Sequence, residues 1–455
     1  MALLDLLFRV EEVDAALSDR ARLQGMLDFE AALARAEASC GVIPSATAAA
    51  IAAKCDAKLF DFPALQHGAA IAGNLAIPML QQLNGMVSAD DADAAGFVHW
   101  GATSQDAIDT GFVLQVRAVL DIVNGEMEQL CRTLATLAEA HRGTVMVGRS
   151  WMQHATPTTF GLKVAGWLDA LLRHQGRLFE MRRRFLALQF GGAVGNLSAL
   201  GRDGDAVSQM LAKELALTWP AVAWHSQRDR FAELATTMGM LTGTLGKIAR
   251  DISLHAQTEI GELHEPMGEG RGGSSSMPHK RNPVSCAVIL AAALRVPGLV
   301  STVLSAMVQE DERGLGGWHA EWETVPDILR LSAGALHHLR ITMEGLRVDA
   351  QRMESNLELT RGLIYAEVVT TALATKIGTK DTRRLVEQAC TRASEAKEHL
   401  RDTLLKMPRV SEHFVATEIS ELFNARKHLG NSSAAIDRVL AAAKMAKTIS
   451  RRGSE

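Results

Sequence analysis

The chain has 455 residues, 47% of them hydrophobic, a formal net charge of −4 and a pI near 6.4. This length exceeds one ordinary domain, and the charge excludes bulk electrostatic attraction to nucleic acid or to an anionic membrane. Five scattered cysteines without a CxxC pair favour a reducing compartment over a disulfide scaffold or a zinc site.

The chain shows neither a secretory signal nor an apolar run long enough for a membrane span. Its first residues, MALLDLLFRVEEV, lack a basic segment and contain Asp5. The longest strongly apolar run, Cys286 to Leu294, is stopped by Arg295 and Pro297 before the ~20 residues that a span needs. We therefore expect a soluble cytoplasmic protein.

The N-terminal region, residues 1–110, is predicted to be a small helical domain. An Ala-rich helical pattern runs from Ser18 to about Ala53, and Pro44 divides it into two helices. Asp61, Phe62 and Pro63 precede the next helical segment. No long alternating β-branched run occurs here, which indicates an all-α fold.

Two long apolar seams dominate the centre of the chain. In each seam, apolar residues recur alternately three and four positions apart, as in a long packed helix of roughly 40 Å. Three further helical patterns follow the same logic, running from Phe160 to Leu188, from Val284 to Met307 with Pro297 as a kink, and from Pro326 to Gly345. The first seam is Val113, Val116, Leu120, Val123, Met127, Leu130, Leu134 and Leu137, and the second is Leu234, Met238, Leu241, Leu245, Ile248, Ile252 and His255.

Five long helices with short connections predict an elongated central bundle over residues 111–347. A bundle this apolar is expected to bury a second face against other copies of the chain, so we expect a homo-oligomer. Shorter helices separated by Gly and Asn follow, and they predict a third helical domain over residues 348–455.

A loop rich in Gly and Ser, EPMGEGRGGSSSMPHKRNPVS, interrupts the helical patterns between Glu265 and Ser285. Its glycines formally satisfy GxGxxG, but no predicted strand precedes them, which disfavours a dinucleotide site. A solvated linker is the usual reading of such a composition. Two cations, Lys280 and Arg281, and two prolines, Pro278 and Pro283, instead favour a loop of defined conformation that binds a carboxylate and transfers a proton.

The segment GSSSMPHKRNP, Gly273 to Pro283, resembles the signature GSSxMPxKxNP of the superfamily of fumarase, aspartase, argininosuccinate lyase and adenylosuccinate lyase. The resemblance implies an elongated three-domain chain. Four central five-helix bundles would pack into the twenty-helix core of a homotetramer, with active sites shared between subunits. It also implies that Ser274 is the catalytic base and that Lys280 and Asn282 bind substrate carboxylates, with Arg281 as a further candidate.

A second motif, HWGATSQDAIDTG, precedes the first seam. Thr103 and Ser104 fall at a predicted helix N-terminus, where a plain N-cap and an anion site both suit their hydroxyls. TSQD resembles the superfamily motif that holds a substrate carboxylate. His99 stands where adenylosuccinate lyases carry a histidine.

A third motif, GRSWMQHATPTTFG, resembles the superfamily pattern GRTHxQxAxPTTFG, in which the histidine is the general acid. Trp151 replaces that histidine in this chain. Gln153 matches the glutamine of the pattern and is expected to orient the substrate. His154 is a candidate substitute acid, although a shift of position along the chain re-aims a side chain and favours a non-catalytic role.

A fourth motif, ERGLGGWHAEWETVPD, lies where adenylosuccinate lyases carry the arginine that helps to hold their nucleotide substrate. Trp322 takes the place of that arginine, with Trp318 nearby. Arg313 is an additional candidate cation. The tryptophans indicate a reshaped pocket.

Loss of the general acid points to a carboxylate leaving group, which departs without protonation. One branch of the superfamily has such chemistry, because its members close a lactone by adding a substrate carboxylate across a C=C bond. The resemblance therefore implies lactonisation of a carboxylated cis,cis-muconate in the protocatechuate branch of the β-ketoadipate pathway, with no metal or organic cofactor. Adenylosuccinate lyase or another fumarate-releasing lyase is the alternative, and a catalytically silent structural relative is a remote one.

Overall fold

The computed structural model describes residues 3–268, 272–273, 276–277 and 279–452. Ser274, the predicted catalytic base, lies outside these residues. Within the described residues the chain forms twenty α-helices and four short strands, so the prediction of an all-α fold is confirmed.

The helices up to the end of the long bundle segments are α1 Asp5–Phe8, α2 Glu11–Ala16, α3 Asp19–Ser39, α4 Ser45–Ala52, α5 Phe62–Ala72, α6 Ala76–Asp90, α7 Ala92–Ala95, α8 Ser104–Ala140, α9 Phe160–Phe185, α10 Gly204–Glu214, α11 Asp229–His255, α12 Val284–Ser305 and α13 Gly317–Glu344. The C-terminal helices are α14 Ala350–Asn356, α15 Ala366–Ile377, α16 Thr379–Ala396, α17 Leu400–Leu405, α18 Pro408–Ser411, α19 Ala416–Glu421 and α20 Ser432–Arg452. Short 3₁₀ helices lie at Ala57–Leu59, Gly201–Asp203, Leu357–Thr360, Leu363–Tyr365 and Ala425–His428. The strands are β1 Val145–Ser150, β2 Gln153–Thr159, β3 Leu263–His264 and β4 Arg347–Val348.

The predicted apolar seams lie on α8 and α11. All of their residues are buried except Leu137, which is half-buried near the end of α8. Together with α9, α12 and α13 they are the five long helices that the sequence predicts. Polar bonds also join these helices, because Thr242 Oγ1 on α11 donates to Ser332 Oγ on α13 over 2.7 Å.

Contacts divide the chain into two compact units. Unit one comprises Met1–Met127, His174–Gly246 and Val288–His338, and unit two comprises Glu128–Arg173, Lys247–Ala287 and Leu339–Glu455. Each of the five long helices contributes residues to both units. The three-domain division at residues 110/111 and 347/348 remains a prediction.

The start of α13 differs from the sequence prediction. The helix begins at Gly317 instead of Pro326, so the proline lies inside it. Proline has no N–H to give to the carbonyl four residues earlier, which belongs to Trp322. Arg22 of α3 fills this vacancy, because its Nη2 donates to the Trp322 carbonyl over 3.0 Å. A contact distant in sequence therefore satisfies the carbonyl that the proline leaves unpaired.

Helix α12 runs through Arg295 and Pro297, as the predicted helix from Val284 to Met307 does, and it ends at Ser305. The apolar run that ends at Leu294 is thus only part of this helix. By length and composition its 22 residues could cross a membrane, and only 28% of its most apolar window is buried. The core helix of a soluble protein passes the same test. Leu294 on α12 is 82% exposed, so this helix presents apolar surface in the isolated chain.

The third motif forms a β-hairpin that the sequence patterns did not predict. Strands β1 and β2 pair antiparallel, with Ser150 opposite Gln153. Trp151 and Met152 form the two-residue turn with φ angles of 51° and 63°. Such turns suit the right-handed twist of a hairpin but normally carry Asn or Gly at these positions. The turn thus holds two large side chains in a conformation that bulky residues rarely adopt.

Glu37 on α3 is a buried acid for which we predict a measurable pH effect. Neither of its carboxylate oxygens has a hydrogen-bond partner in the described residues. Burial, and then the charge of Glu30, raise its pKa to about 8. A folded-state pKa above the unfolded value makes the free energy of unfolding fall as pH rises between the two values.

We expect Glu37→Gln to remove this pH dependence. Between pH 5 and pH 7.5 the parent protein should lose on the order of 3 kcal/mol of stability from this one group. The variant should lose correspondingly less in urea unfolding across the same range. Parallel stability curves for the two proteins would contradict the assignment of Glu37 as a buried neutral acid.

Candidate functional site

The second motif forms the start of α8, as the sequence predicts. Ser104 is the first helical residue, and Thr103 occupies the position before it. Asp106 reaches back from the first turn and accepts the backbone N–H of Thr103 over 3.0 Å. This bond is half of a capping box, and it fixes the entry of the chain into the helix.

Asp106 also holds the glycine turn GGAVGN against the start of α8. Its side chain is fully buried and accepts the backbone N–H groups of Gly191 over 3.1 Å and of Gly192 over 2.9 Å. Gln189 Nε2 donates to the same carboxylate over 3.1 Å, and His225 Nε2 lies 2.7 Å from it. One carboxylate therefore ties together three segments that are far apart in the sequence.

Arg313 contacts the same turn from the fourth motif. Its Nη2 donates to the carbonyl oxygens of Gly192 over 3.1 Å and of Ala193 over 3.0 Å, and its Nε donates to the Ala193 carbonyl over 3.2 Å. These bonds occupy the Nε and Nη2 donors of the guanidinium. Arg313 thus supports the turn, and its predicted role as a substrate cation remains a prediction.

His99 lies just before Thr103 and pairs with a buried glutamate. Its Nδ1 is 2.6 Å from Glu30 Oε1, and the Glu30 side chain is 1% exposed. Burial lowers the pKa of His99. The charge and the hydrogen bond of Glu30, followed by the charge of Asp106, raise this pKa by more than burial lowers it, so the net shift is upward. Both acids lie in unit one with the histidine.

The side chains of the third motif differ in their exposure to solvent along the hairpin. Trp151 is 97% exposed at the tip, and Gln153 is exposed at the start of β2. His154 is half-buried, and its Nδ1 is sealed from solvent without a partner in the described residues. Burial, followed by the charge of Arg149, lowers the pKa of His154 and so disfavours its charged form.

A buried ionic network anchors this hairpin within unit two. Arg149 on β1 donates to both oxygens of Glu262, over 3.0 and 2.7 Å. His255 Nδ1 lies 2.6 Å from the same carboxylate, and Asn356 Nδ2 donates to it over 2.7 Å. Burial raises the pKa of Glu262, but the hydrogen bonds from His255, Arg149 and Asn356 outweigh it and bring the pKa to about 2.

The signature loop is anchored at its C-terminal end. The backbone N–H of Asn282 donates to the Gly272 carbonyl over 2.9 Å. Glu265 accepts the first backbone N–H groups of α12, from Ser285 over 3.1 Å and from Cys286 over 2.8 Å. The predicted cations Lys280 and Arg281 are exposed, and Asn282 is half-buried. Two exposed charged donors therefore lie beside a fixed helix start.

A buried ionic network also underlies the fourth motif in unit one. Arg228 Nη1 donates to Asp109 over 2.7 Å, and Arg228 Nε donates to Glu321 over 3.0 Å. Trp318 Nε1 donates to Asp109 over 2.9 Å. All of these side chains are buried. Trp318 is thus part of a structural network, and the motif's other tryptophan, Trp322, lines a separate cavity beside it.

That cavity lies between α3, α8, α11 and α13. Its empty volume is about 490 Å³, part of it open to solvent. The indole N–H of Trp322 is buried there without a hydrogen-bond partner in the described residues. The cavity is lined by Arg22, Met26, Leu75, Ile108, Asp109, Phe112, Phe231, Glu321 and Trp322.

The predicted site residues fall into two groups. Unit one contains His99, Thr103, Ser104 and Arg313, while unit two contains Trp151, Gln153, His154, Lys280, Arg281 and Asn282. The motif analysis missed Glu30, Asp106 and Glu262. The T-x-x-D spacing of a capping box could have identified Asp106. Among the described residues, no group of three or more His, Cys, Asp or Glu side chains could hold a metal ion.

Two family patterns match the chain. The pattern described as "Lyase" matches residues 9–298, and the one described as "Adenylosuccinate lyase C-terminus" matches residues 362–439. Together they span most of the sequence.

Individual relatives are similar over nearly the whole length. The "3-carboxy-cis,cis-muconate cycloisomerase" of Pseudomonas aeruginosa is 53% identical over 96% of this chain and 96% of its own. The enzyme of the same name from Bradyrhizobium diazoefficiens is 50% identical over 94% of each chain.

A solved structure shows the same fold. The "3-carboxy-cis,cis-muconate lactonizing enzyme" from Pseudomonas putida superimposes with a TM-score of 0.94 at 48% identity, and the match covers 98% of this chain and 99% of that one. Sequence motifs, family patterns, full-length identity and fold agree. The chain belongs to the lyase family of the fumarase/aspartase superfamily.

Proposed function

We propose that this chain is a cycloisomerase that converts 3-carboxy-cis,cis-muconate to γ-carboxymuconolactone. The observation that carries the proposal is the exposed indole of Trp151 at the hairpin tip, where the superfamily's acid histidine is expected. The name shared by the two relatives described above supports the same substrate. We place the reaction in the protocatechuate branch of the β-ketoadipate pathway, in the cytoplasm.

The identity of the leaving group explains why no acid is needed at position 151. A hydroxide or amine must be protonated as it departs, and a general acid is worth ~10² to 10⁴ in rate for such a step. A carboxylate has a pKa near 4 and departs as the anion. An indole therefore costs this reaction nothing, whereas it would disable a fumarase or an adenylosuccinate lyase.

In the lactonising direction, a carboxylate oxygen of the substrate forms a bond to its own C=C carbon. The electron pair of the double bond moves to the neighbouring carbon and into the adjacent carboxylate. Ser274 then donates its proton to that carbon, and in reverse the Ser274 alkoxide abstracts it. Ring closure is intramolecular, so holding the carboxylate near the attacked carbon supplies much of the acceleration.

The remaining residues bind the three carboxylates. Thr103 and Ser104 offer hydroxyls at the positive end of α8, and Lys280 offers a mobile ammonium. Asn282 donates an amide N–H, and Gln153 orients the substrate. Preorganised donors of this kind stabilise negative charge that develops on the carboxylate in the transition state.

We also propose a homotetramer with active sites shared between subunits. The exposed apolar surface of α12, of which only 28% is buried in its most apolar window, supports burial against other copies. Sharing would allow the unit one and unit two groups to act on one substrate without requiring that a single chain bring them together.

An ultraviolet assay tests the proposal. Purified protein without added metal should remove the diene absorbance of 3-carboxy-cis,cis-muconate and leave adenylosuccinate unchanged. Turnover of adenylosuccinate alone would overturn the substrate and the leaving-group argument for Trp151. Light scattering on the same sample measures the mass of the particle and so tests the tetramer. A mass equal to that of one 49.0 kDa chain would rule the tetramer out.

A further inference from the structure

We propose that Glu30 is a positioning residue that orients His99 and keeps it as an imidazolium, so that its Nε2–H donates to a substrate carboxylate at the start of α8. The identity of the substrate rests on the proposed function. The pairing itself rests on the geometry of unit one.

Glu30 lies in the middle of α3 and has His99 as its hydrogen-bond partner. Its Oε1 lies 2.6 Å from His99 Nδ1, and its Oε2 is buried without a hydrogen-bond partner in the described residues. Removing an isolated carboxylate from water is costly unless a cation accompanies it. The burial of Glu30 therefore favours a positive charge on its hydrogen-bond partner, His99.

The same contact decides which ring nitrogen of His99 faces outward. Nδ1 is occupied by Glu30, so a ligand can reach only Nε2. Within the described residues Nε2 has no hydrogen-bond partner, and it is not sealed from solvent. The His99 side chain as a whole is 14% exposed. A protonated ring would present a single aimed N–H donor.

The backbone around His99 is also shaped for this contact. His99 has a φ of 62°, a left-handed conformation that costs a non-glycine residue roughly 1 kcal/mol or more. Gly101 follows with a φ of 70°. Strain of this kind persists only where surrounding contacts hold the residue, and the bond to Glu30 supplies such a contact.

The charges that face His99 are acidic on both packed elements. Glu30 acts from α3 and Asp106 from α8, and together they outweigh the effect of burial. Glu37 lies two turns further along α3. Its pKa of about 8 keeps its carboxyl group protonated and uncharged at lower pH, so it does not add to the charge near His99 there. Binding of a polycarboxylate should therefore weaken as pH rises and His99 loses its proton.

The experiment compares the pH profiles of kcat and KM for the parent enzyme, Glu30→Gln and Glu37→Gln. Glutamine at position 30 can still accept from Nδ1 but lacks the charge that sustains the imidazolium. We expect KM to rise about tenfold at pH 7.5, the loss of one charge-assisted hydrogen bond, with a smaller change in kcat. The difference should shrink at pH 6.

Glu37→Gln is the matched control, because it alters a buried glutamate of the same helix that does not contact His99. It should leave the KM profile unchanged below pH 8. An unchanged KM profile in Glu30→Gln would overturn the inference. A fall in kcat and a rise in KM by the same factor at every pH, together with a lower melting temperature, would also overturn the inference, because that result shows a purely structural role.

Calorimetric binding of propane-1,2,3-tricarboxylate separates this inference from the proposed function, since it needs no turnover. The inference is supported if the affinity of the parent protein falls as pH rises and if the affinity of Glu30→Gln falls at a lower pH than that of the parent. This holds even if the muconate is not lactonised. Identical binding profiles for the two proteins overturn it even if lactonisation is observed.

Discussion

Replacing Ser274 by alanine is expected to reduce kcat for 3-carboxy-cis,cis-muconate by ~10² to 10⁴, the usual contribution of a positioned proton carrier. The variant keeps the carboxylate-binding groups, so KM should change much less than kcat. Initial rates from the decay of diene absorbance measure both constants. The loss should be similar in both directions, because the proposed role of Ser274 is to carry the proton in both.

Ser276→Ala is the matched control for this variant. Ser276 lies in the same run of three serines but occupies the variable position of the signature GSSxMPxKxNP, so its removal should leave kcat nearly unchanged. Activity of Ser274→Ala within a few-fold of the parent enzyme would eliminate Ser274 as the proton carrier. Equal losses in both variants would point to a disturbed loop.

Arg228→Met is expected to have the largest effect on stability. The Arg228 side chain is 1% exposed and pairs with Asp109 and Glu321. Its guanidinium carbon lies over the ring of Phe231, 4.3 Å from the ring centroid. Methionine fills similar space but leaves two buried carboxylates without their cation. Breaking a buried ion pair in this way costs about 3 to 5 kcal/mol, which urea unfolding at fixed protein concentration would measure.

Arg184→Met provides the comparison. Arg184 also pairs with a glutamate, Glu233, yet these side chains are 54% and 33% exposed, far more than those of the Arg228 network. Solvent screens such a pair, so its loss should barely move the unfolding midpoint. Equal destabilisation by the two substitutions would refute the claim that burial makes the Arg228 network important.

The sequence predicted the long helices well because each one repeats its apolar spacing over many turns. The seams on α8 and α11 needed only local periodicity, and Ser104 marks the start of α8 as its motif predicts. The start of α13 was predicted wrongly, because a proline suits the first turn of a helix and normally breaks a helix that it lies inside. The compensation for Pro326 comes from Arg22, which is 300 residues from Trp322 in the sequence. Local rules cannot anticipate a distant donor.

Other features depend on partners separated in sequence in the same way. Glu30 and His99 are 69 residues apart, and Arg149 and Glu262 are 113 apart. In an Ala-rich helix, a glutamate on the buried face gives no sign of its partner. The superfamily resemblance supplied the candidate ligands of the substrate, but the residues that hold those ligands emerged only from three-dimensional contacts.

The turn of the hairpin has a consequence for attempts to make this protein more robust. Its two left-handed residues, Trp151 and Met152, cost free energy that an Asn-Gly pair at the same positions would not. A search for thermostable variants would therefore favour replacing both side chains, including the indole at the position of the superfamily's acid histidine. A screen that scores only heat resistance would thus select against the residue on which the proposed leaving-group argument rests.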